Sequence, residues 1–369
     1  MIRFLAVPAA MLAVISATAR PAGSAAEAHG RVFNGVACPR VTSCWAVGQQ
    51  TASGVTRSLI EHWNGRKWSE KASPSVAGSA ETFLSEVSCS ERLNCWAVGG
   101  ASLGTRRQEP IAEHWNGRKW SLTVLPEPAG MAADGLAGVW CADPAGCWAV
   151  GSAARSAGGA SPRPLAEHWN GRRWSVVATR ASGSFGHLVG VFCRRDADCW
   201  AVGGVAAGGL AEHWNGRRWS LAATPSTGGF LASVWCPGAE CLATGDSGYP
   251  SAIVERWNGR KWSLTPTAPL PPGTSSDLLG LTCATAFNCF GVGIENTQTL
   301  IEHWRGSKWA RVKTPNPARA ALAELRAVSC PSPAACWAVG STGTQGFTGR
   351  GSTLAEHWNG RRWSIVRTP

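Results

Sequence analysis

The chain has 369 residues with a net charge of +12, enough for one domain built from repeats and no second one. Beyond the first thirty residues no apolar run approaches twenty, which excludes a predicted membrane-spanning helix there. All 14 cysteines fall into pairs at a fixed period, which points to a repeat architecture and not an ordinary globular domain.

In chain order, Arg3 precedes an apolar run from Phe4 to Ala17 that is too short to span a bilayer. Ala17-Thr18-Ala19 is a small-x-small cleavage pattern, with Ala26-Glu27-Ala28 as a second choice. Residues 1–19 therefore read as a secretory signal peptide, with cleavage as late as 28 and a retained anchor as the alternative. Residues 20–32 read as a linker and 33–369 as a single domain.

From Phe33 onward one sentence of about fifty residues is written seven times. Its first copy runs through Phe33-Asn34-Gly35-Val36-Ala37-Cys38, Cys44-Trp45-Ala46-Val47-Gly48 and Glu61-His62-Trp63-Asn64-Gly65-Arg66-Lys67-Trp68. In the second copy, Leu84–Cys89 is short and rich in β-formers, and Cys95–Gly99 returns from a tight loop. Ile111–Trp115 is a third run, and Asn116-Gly117 predicts a two-residue type I′ hairpin into Trp120–Val124. Pro126 suits a strand end. Nothing in the copy has helical period, so each copy predicts four antiparallel strands.

Seven such sheets predict an all-β, seven-bladed β-propeller. A small residue precedes the Val or Leu of the first strand at Gly35, Gly138, Gly190, Ser233, Gly280 and Ala327, which places that strand innermost, where backbones converge. Glu86 is the exception and is expected to point into a wet channel. The chain starts on an inner strand and ends on an outer one, so closure is expected from side-chain packing between the first and last blades. The alternative is an extra outer strand from residues 20–32.

With export, the cysteines read as one disulfide per blade. The expected pairs are Cys38 with Cys44, Cys89 with Cys95, Cys141 with Cys147, Cys193 with Cys199, Cys236 with Cys241, Cys283 with Cys289 and Cys330 with Cys336. Each brackets a short hairpin within its own copy. Two cysteines five residues apart without a further His or Cys do not make a four-ligand site, so neither metal nor cofactor is expected. Six repeat histidines sit one per blade and read as structural.

Fourteen of the 35 basic residues lie at the turn between third and fourth strands: Arg66, Lys67, Arg118, Lys119, Arg172, Arg173, Arg217, Arg218, Arg260, Lys261, Arg305, Lys308, Arg361 and Arg362. In a meander these turns share a face with the disulfide loops, giving a positive ring. It reads either as solvated hairpins paired to the third-strand glutamates (Glu61, Glu113, Glu167, Glu212, Glu255, Glu302, Glu356) or as a footprint for an anionic polymer. The second-to-third-strand loops differ in every copy and mark the opposite face as a candidate binding face. Trp140, Phe192 and Trp235 replace small residues on adjacent inner strands and could stack a sugar or pack between blades. Asp246 and Tyr249 are further off-repeat candidates, within a segment that also reads as a turn.

The motifs Leu-x-x-Val-x-Cys, Cys-Trp-Ala-Val-Gly and Trp-Asn-Gly-x-x-Trp resemble short propeller repeats of exported bacterial proteins. More distantly they are similar to neuraminidase repeats and photosystem-assembly-factor propellers. The resemblance implies the blade over residues 33–369 and brings no ligand. Sialidases of that fold use a Tyr nucleophile, whereas this chain has Tyr249 alone. There is no phosphate loop, His-Glu-x-x-His or Gly-x-Ser-x-Gly. The expectation is a secreted, monomeric, non-catalytic binding or scaffolding module for glycan, anionic cell-wall polymer or protein, with no nucleic acid. The alternative is an extracellular glycoside hydrolase or lyase using carboxylates such as Asp134, Asp196 or Asp277 on the variable-loop face.

Overall fold

The computed structural model describes residues 30–103, 107–123, 125–126, 128, 130–154, 161–180, 185–225, 228–248, 251–318, 320–343 and 351–369. The proposed signal peptide and Tyr249 lie outside the described residues. The described chain is all β, as the alternating and doubly buried runs predict.

Unit one consists of β1 (Gly30–Arg40), β2 (Ser43–Ala52), β3 (Val55–Trp63) and β4 (Trp68–Lys71), paired antiparallel in that order. Six more four-stranded meanders follow. A single parallel bridge, Thr56 to Glu81, joins β3 to β5 (Glu81–Glu91), so the first two units share one eight-stranded sheet while the other five stand separate.

Every first strand carries a bulge at the same place: Asn34, Ser85, Ala137, Val189, Ala232, Leu279 and Arg326 are the extra residues. The bulge explains the glycine that ends Cys-Trp-Ala-Val-Gly. A Cβ on Gly48, Gly99, Gly151, Gly203, Gly245, Gly293 or Gly340 would lie 1.9–2.1 Å from the carbonyl oxygen of the bulged partner strand. No side chain fits there, so the motif ends in Gly for a local steric reason.

First strands touch first strands around the ring, including unit seven on unit one. Backbones approach so closely that a Cβ on Gly138 would meet Val189 O at 2.3 Å, and one on Gly190 would meet Ala232 O at 2.8 Å. That is the convergence on an axis expected from the small residues. Between units, an indole from the second strand inserts between the two tryptophans of the next unit. The distances Trp45–Trp115, Trp96–Trp169, Trp148–Trp214 and Trp200–Trp257 are 4.7–4.8 Å. Trp337 meets Trp63 at 4.7 Å in the same way, so the last seam repeats the others. Arg326 donating to Asn34 Oδ1 (2.6 Å) and Cys38 N–H to Ser329 Oγ (3.0 Å) complete it. Among the described residues no strand is exchanged across this seam. Leu242 and Phe290 replace the indole at the other two seams.

Seven disulfides form, all within their own units as the spacing predicts. They join Cys38 to Cys44, Cys89 to Cys95, Cys141 to Cys147 and Cys193 to Cys199 in units one to four. Cys236 to Cys241, Cys283 to Cys289 and Cys330 to Cys336 follow in units five to seven. The second cysteine of each pair is fully buried at the start of its strand. Cα–Cα distances are 3.9–4.1 Å across opposed strands. Loops this short contribute roughly 2 kcal/mol each on the chain-entropy account.

The Asn-Gly turn departs from expectation. Trp63 pairs with Trp68, leaving a four-residue loop instead of a two-residue type I′ turn. Only Gly65 has positive φ (90°), while Asn64 Oδ1 accepts the N–H groups of Arg66 and Lys67 at 3.0 and 3.1 Å. Asn is there for its side-chain acceptor.

Candidate functional site

The ends of the strands define two faces. On one, the third-to-fourth-strand turns lie against the disulfide hairpin tips: a Cβ on Gly65 would touch Thr42, on Gly117 Leu93, on Gly306 Phe287 and on Gly360 Ala334. All fourteen turn bases are exposed on this face. The repeat histidines brace it from beneath. His62 meets Ser43 Oγ at 2.9 Å, His303 meets Asn288 at 2.9 Å, and His168 reaches across to Asp196 of the next unit at 2.7 Å. Burial holds His62 and His303 down to about 4, helped by Lys71 and Arg92 beside His62 and by Arg305 beside His303.

The seven third-strand glutamates do not reach the turn bases. Their residues are at most 1% exposed and face the preceding unit. Glu113 accepts from Ser73 Oγ (2.8 Å), Glu212 from Arg180 N–H (2.9 Å), Glu302 from Ala268 N–H (3.2 Å) and Glu356 from Thr314 Oγ1. Each donor belongs to the segment linking the previous outer strand to the next inner strand. The carboxyls thus tie down the inter-unit crossings. Glu61, at the closing seam, takes Arg31 instead (3.0 Å), and Arg31 also holds Glu70. Burial raises Glu113, Glu167 and Glu356 to about 8 and Glu61, Glu255 and Glu302 to about 7.

At the axis, near the disulfide end, Trp140, Phe192 and Trp235 meet one another. Their centroids are 4.6, 4.7 and 4.8 Å apart, and Trp140 Nε1 donates to Cys193 O at 2.9 Å. Phe192 is buried; the two indoles keep partial exposure. Units three and five are not neighbours, so contact between their rings means that the side chains converge across the axis. Glu86 folds back over the small residue of unit one: a Cβ on Gly35 would lie 2.5 Å from its Oε1, which accepts Val87 N–H at 2.9 Å. It is half-buried between two inner strands instead of extended into an open channel, and burial raises it to about 8.

The other end of the axis carries the more varied chemistry. The residue whose carbonyl presses on the motif glycine is Val32, Phe83, Gly135, His187, Phe230, Asp277 and Glu324 in units one to seven. Four consecutive units thus present His187, Phe230, Asp277 and Glu324 at one structural position. His187 lies 6.0 Å from Phe185 and 6.3 Å from Phe230, and Phe230 pairs in register with Asp246. Burial raises Asp277 to about 6, and the neighbouring charges of Asp246 and Glu324 add to it. Burial also raises Asp246, whose Oδ1 accepts Gly248 N–H at 2.6 Å. Glu324 pairs with Arg326 at 2.5 Å and accepts Ser341 Oγ at 3.2 Å. Of the carboxylates considered for catalysis, Asp196 sits on the basic face with His168 and Asp277 at this mouth, so they do not come together. The side chain of Asp134 lies outside the described residues. Among the described residues no cluster of three His, Cys, Asp or Glu could hold a metal ion.

The sequence points to Asp246 and Asp277 separately, but not to Phe230 or Glu324 beside them. The signal was present as a position that takes six residue types in seven copies, inside a strand that otherwise repeats.

Repeated four-stranded antiparallel sheets whose inner strands ring one axis make this chain a β-propeller. It is similar to YCF48 from Cyanidioschyzon merolae, with a TM-score of 0.54 and 14% identity over 85% of this chain and 95% of that one. It is also similar to YCF48 bound to D1 peptide, with a TM-score of 0.53 and 12% identity over 85% of this chain and 89% of that one. At these identities the likeness is one of fold. No protein-family model and no curated protein matches the chain.

Proposed function

We propose that this chain is an exported, seven-bladed β-propeller that binds a segment of another protein, without chemistry, at the mouth of its axis on the variable-loop side. The observation that carries the reading is the patch of His187, Phe230, Asp277 and Glu324. Four copies differ at one structural position while the cysteine framework around it stays constant. Aromatic faces beside carboxylates suit a peptide bearing Lys or Arg next to an apolar residue. The related fold of YCF48 bound to D1 peptide supports a peptide over a glycan. Seven disulfides support an oxidising compartment. Selection from a displayed peptide library should enrich basic-aromatic sequences, and Phe230→Ala and Asp277→Asn should each weaken their binding about tenfold, near the 1–3 kcal/mol of a lost recognition contact. Retained affinity in both folded variants would refute the proposal.

A second reading has its own observation. Asp277 is raised to about 6 beside Asp246 and Glu324, a pairing of unlike carboxyls that glycoside cleavage also uses. Release of reducing sugar from a polysaccharide panel, abolished by Asp277→Asn, would establish that enzyme and displace the binding module.

A further inference from the structure

We propose that the face bearing the disulfide hairpins docks, through units six, seven, one and two, on an anionic lipid surface. It lies at the opposite strand ends from the peptide patch and is independent of it. Three hairpin tips in this arc end in apolar side chains with no role in the core: Phe287 is 71% exposed, Leu93 49% and Val41 48%. Unit seven places Pro333-Ala334 between them. Leu93, Phe287 and Ala334 lean over the glycines of their own basic turns, and in unit one Thr42 does so beside Val41, so apolar and cationic groups alternate along one edge. The same arc carries two exposed bases per turn together with Arg40 and Arg92, against Glu91 as its one hairpin acid among the described residues. The remaining arc is different. Its hairpins carry Asp143, Asp196, Asp198 and Glu240 beside Arg194 and Arg195, and their tips are Ala145, Ala197 and Ala239.

Charge alone would suit any soluble polyanion. Exposed Phe, Leu and Val in the hairpin loops do not help hold a polymer. They are what an interfacial protein inserts between headgroups while its cations meet the lipid phosphates. Units three to five, with four hairpin acids and alanine tips, would be drawn less strongly, so the disc should approach tilted on one edge.

The test is co-sedimentation of the mature chain with vesicles of phosphatidylcholine alone or mixed with phosphatidylglycerol, and dextran sulfate serves as the soluble polyanion. Binding to the anionic vesicles should exceed that to the neutral ones by about tenfold or more and fall with added salt. The triple variant Phe287→Ser, Leu93→Ser, Val41→Ser should lose vesicle binding by about tenfold yet melt as the parent does and still bind dextran sulfate. Arg118→Gln with Lys119→Gln should weaken vesicle binding more than Arg217→Gln with Arg218→Gln. Absence of vesicle binding, vesicle binding untouched by the triple variant, or equal effects of the two charge pairs would overturn the proposal.

Discussion

Glu167 is the sharpest test of the buried glutamate ring. Its residue is fully buried, both oxygens lack a hydrogen-bond partner among the described residues, and burial alone raises its carboxyl to about 8. The unfolded chain releases this proton near 4.5, whereas the folded chain keeps it until about 8. The stability so contributed is fully present below the unfolded value and is lost as pH rises through the folded one. One retained proton is worth about 1.4 kcal/mol per pH unit, so on the order of 3 kcal/mol separates about pH 5.5 from about pH 8.5. Glu167→Gln mimics the protonated form and cannot ionise. Against the parent, its advantage should start from near zero below about pH 4.5 and grow by on the order of 3 kcal/mol between about pH 5.5 and about pH 8.5. The depressed histidines act in the opposite sense, destabilising below their ordinary value, but they are common to both proteins and cancel. Guanidinium unfolding followed by tryptophan fluorescence, with disulfides intact, measures the difference at each pH. Parallel pH profiles for parent and variant would show that the carboxyl is already ionised in the fold and would refute the argument.

Further outcomes follow from the packing. Trp337→Ala, at the closing seam, and Trp96→Ala, at an internal one, should each cost about 3–5 kcal/mol in chemical unfolding; a cost under about 1 kcal/mol for Trp337→Ala alone would mean that the ring is not sealed there. Gly99→Ala would put a Cβ 2.0 Å from Phe83 O and should prevent secretion of folded protein, whereas Gly238→Ala, with nothing within 4 Å, should express and melt like the parent. Replacing Cys236 and Cys241 together by Ser should lower stability by roughly 2 kcal/mol, and thiol titration of the unfolded parent should find no free cysteine.

The architecture was legible because it is written repeatedly. Cysteine spacing, the Trp-Asn-Gly turn and the small residues before Val or Leu each recur, and each maps to one feature of the unit. What stayed hidden depended on three-dimensional neighbours. The glutamate before His-Trp reads as a surface partner for nearby bases, because nothing in the local sequence says that the crossing from the preceding unit covers it. The glycine of Cys-Trp-Ala-Val-Gly reads as an apolar strand's end until the bulge opposite puts a carbonyl oxygen within 2.1 Å of where a Cβ would stand. Asn-Gly suggested a two-residue turn because propensity cannot report register, and Trp63 opposite Trp68 decides it. The axis patch was legible only in pieces for a related reason: a histidine, a phenylalanine and two carboxylates on separate copies have no common signature, so only the common bulge shows that they occupy one place.

The seam between Trp337 and Trp63 has a topological corollary. Because its packing matches that of the internal seams and each meander keeps its own four strands, the disc has no privileged starting point. New termini opened in any of the links between meanders, with the present ends joined, would leave every hydrogen-bonded ladder whole. A gene of this kind can be re-cut at repeat boundaries, the rotated protein differing from its parent only in where the polymer begins.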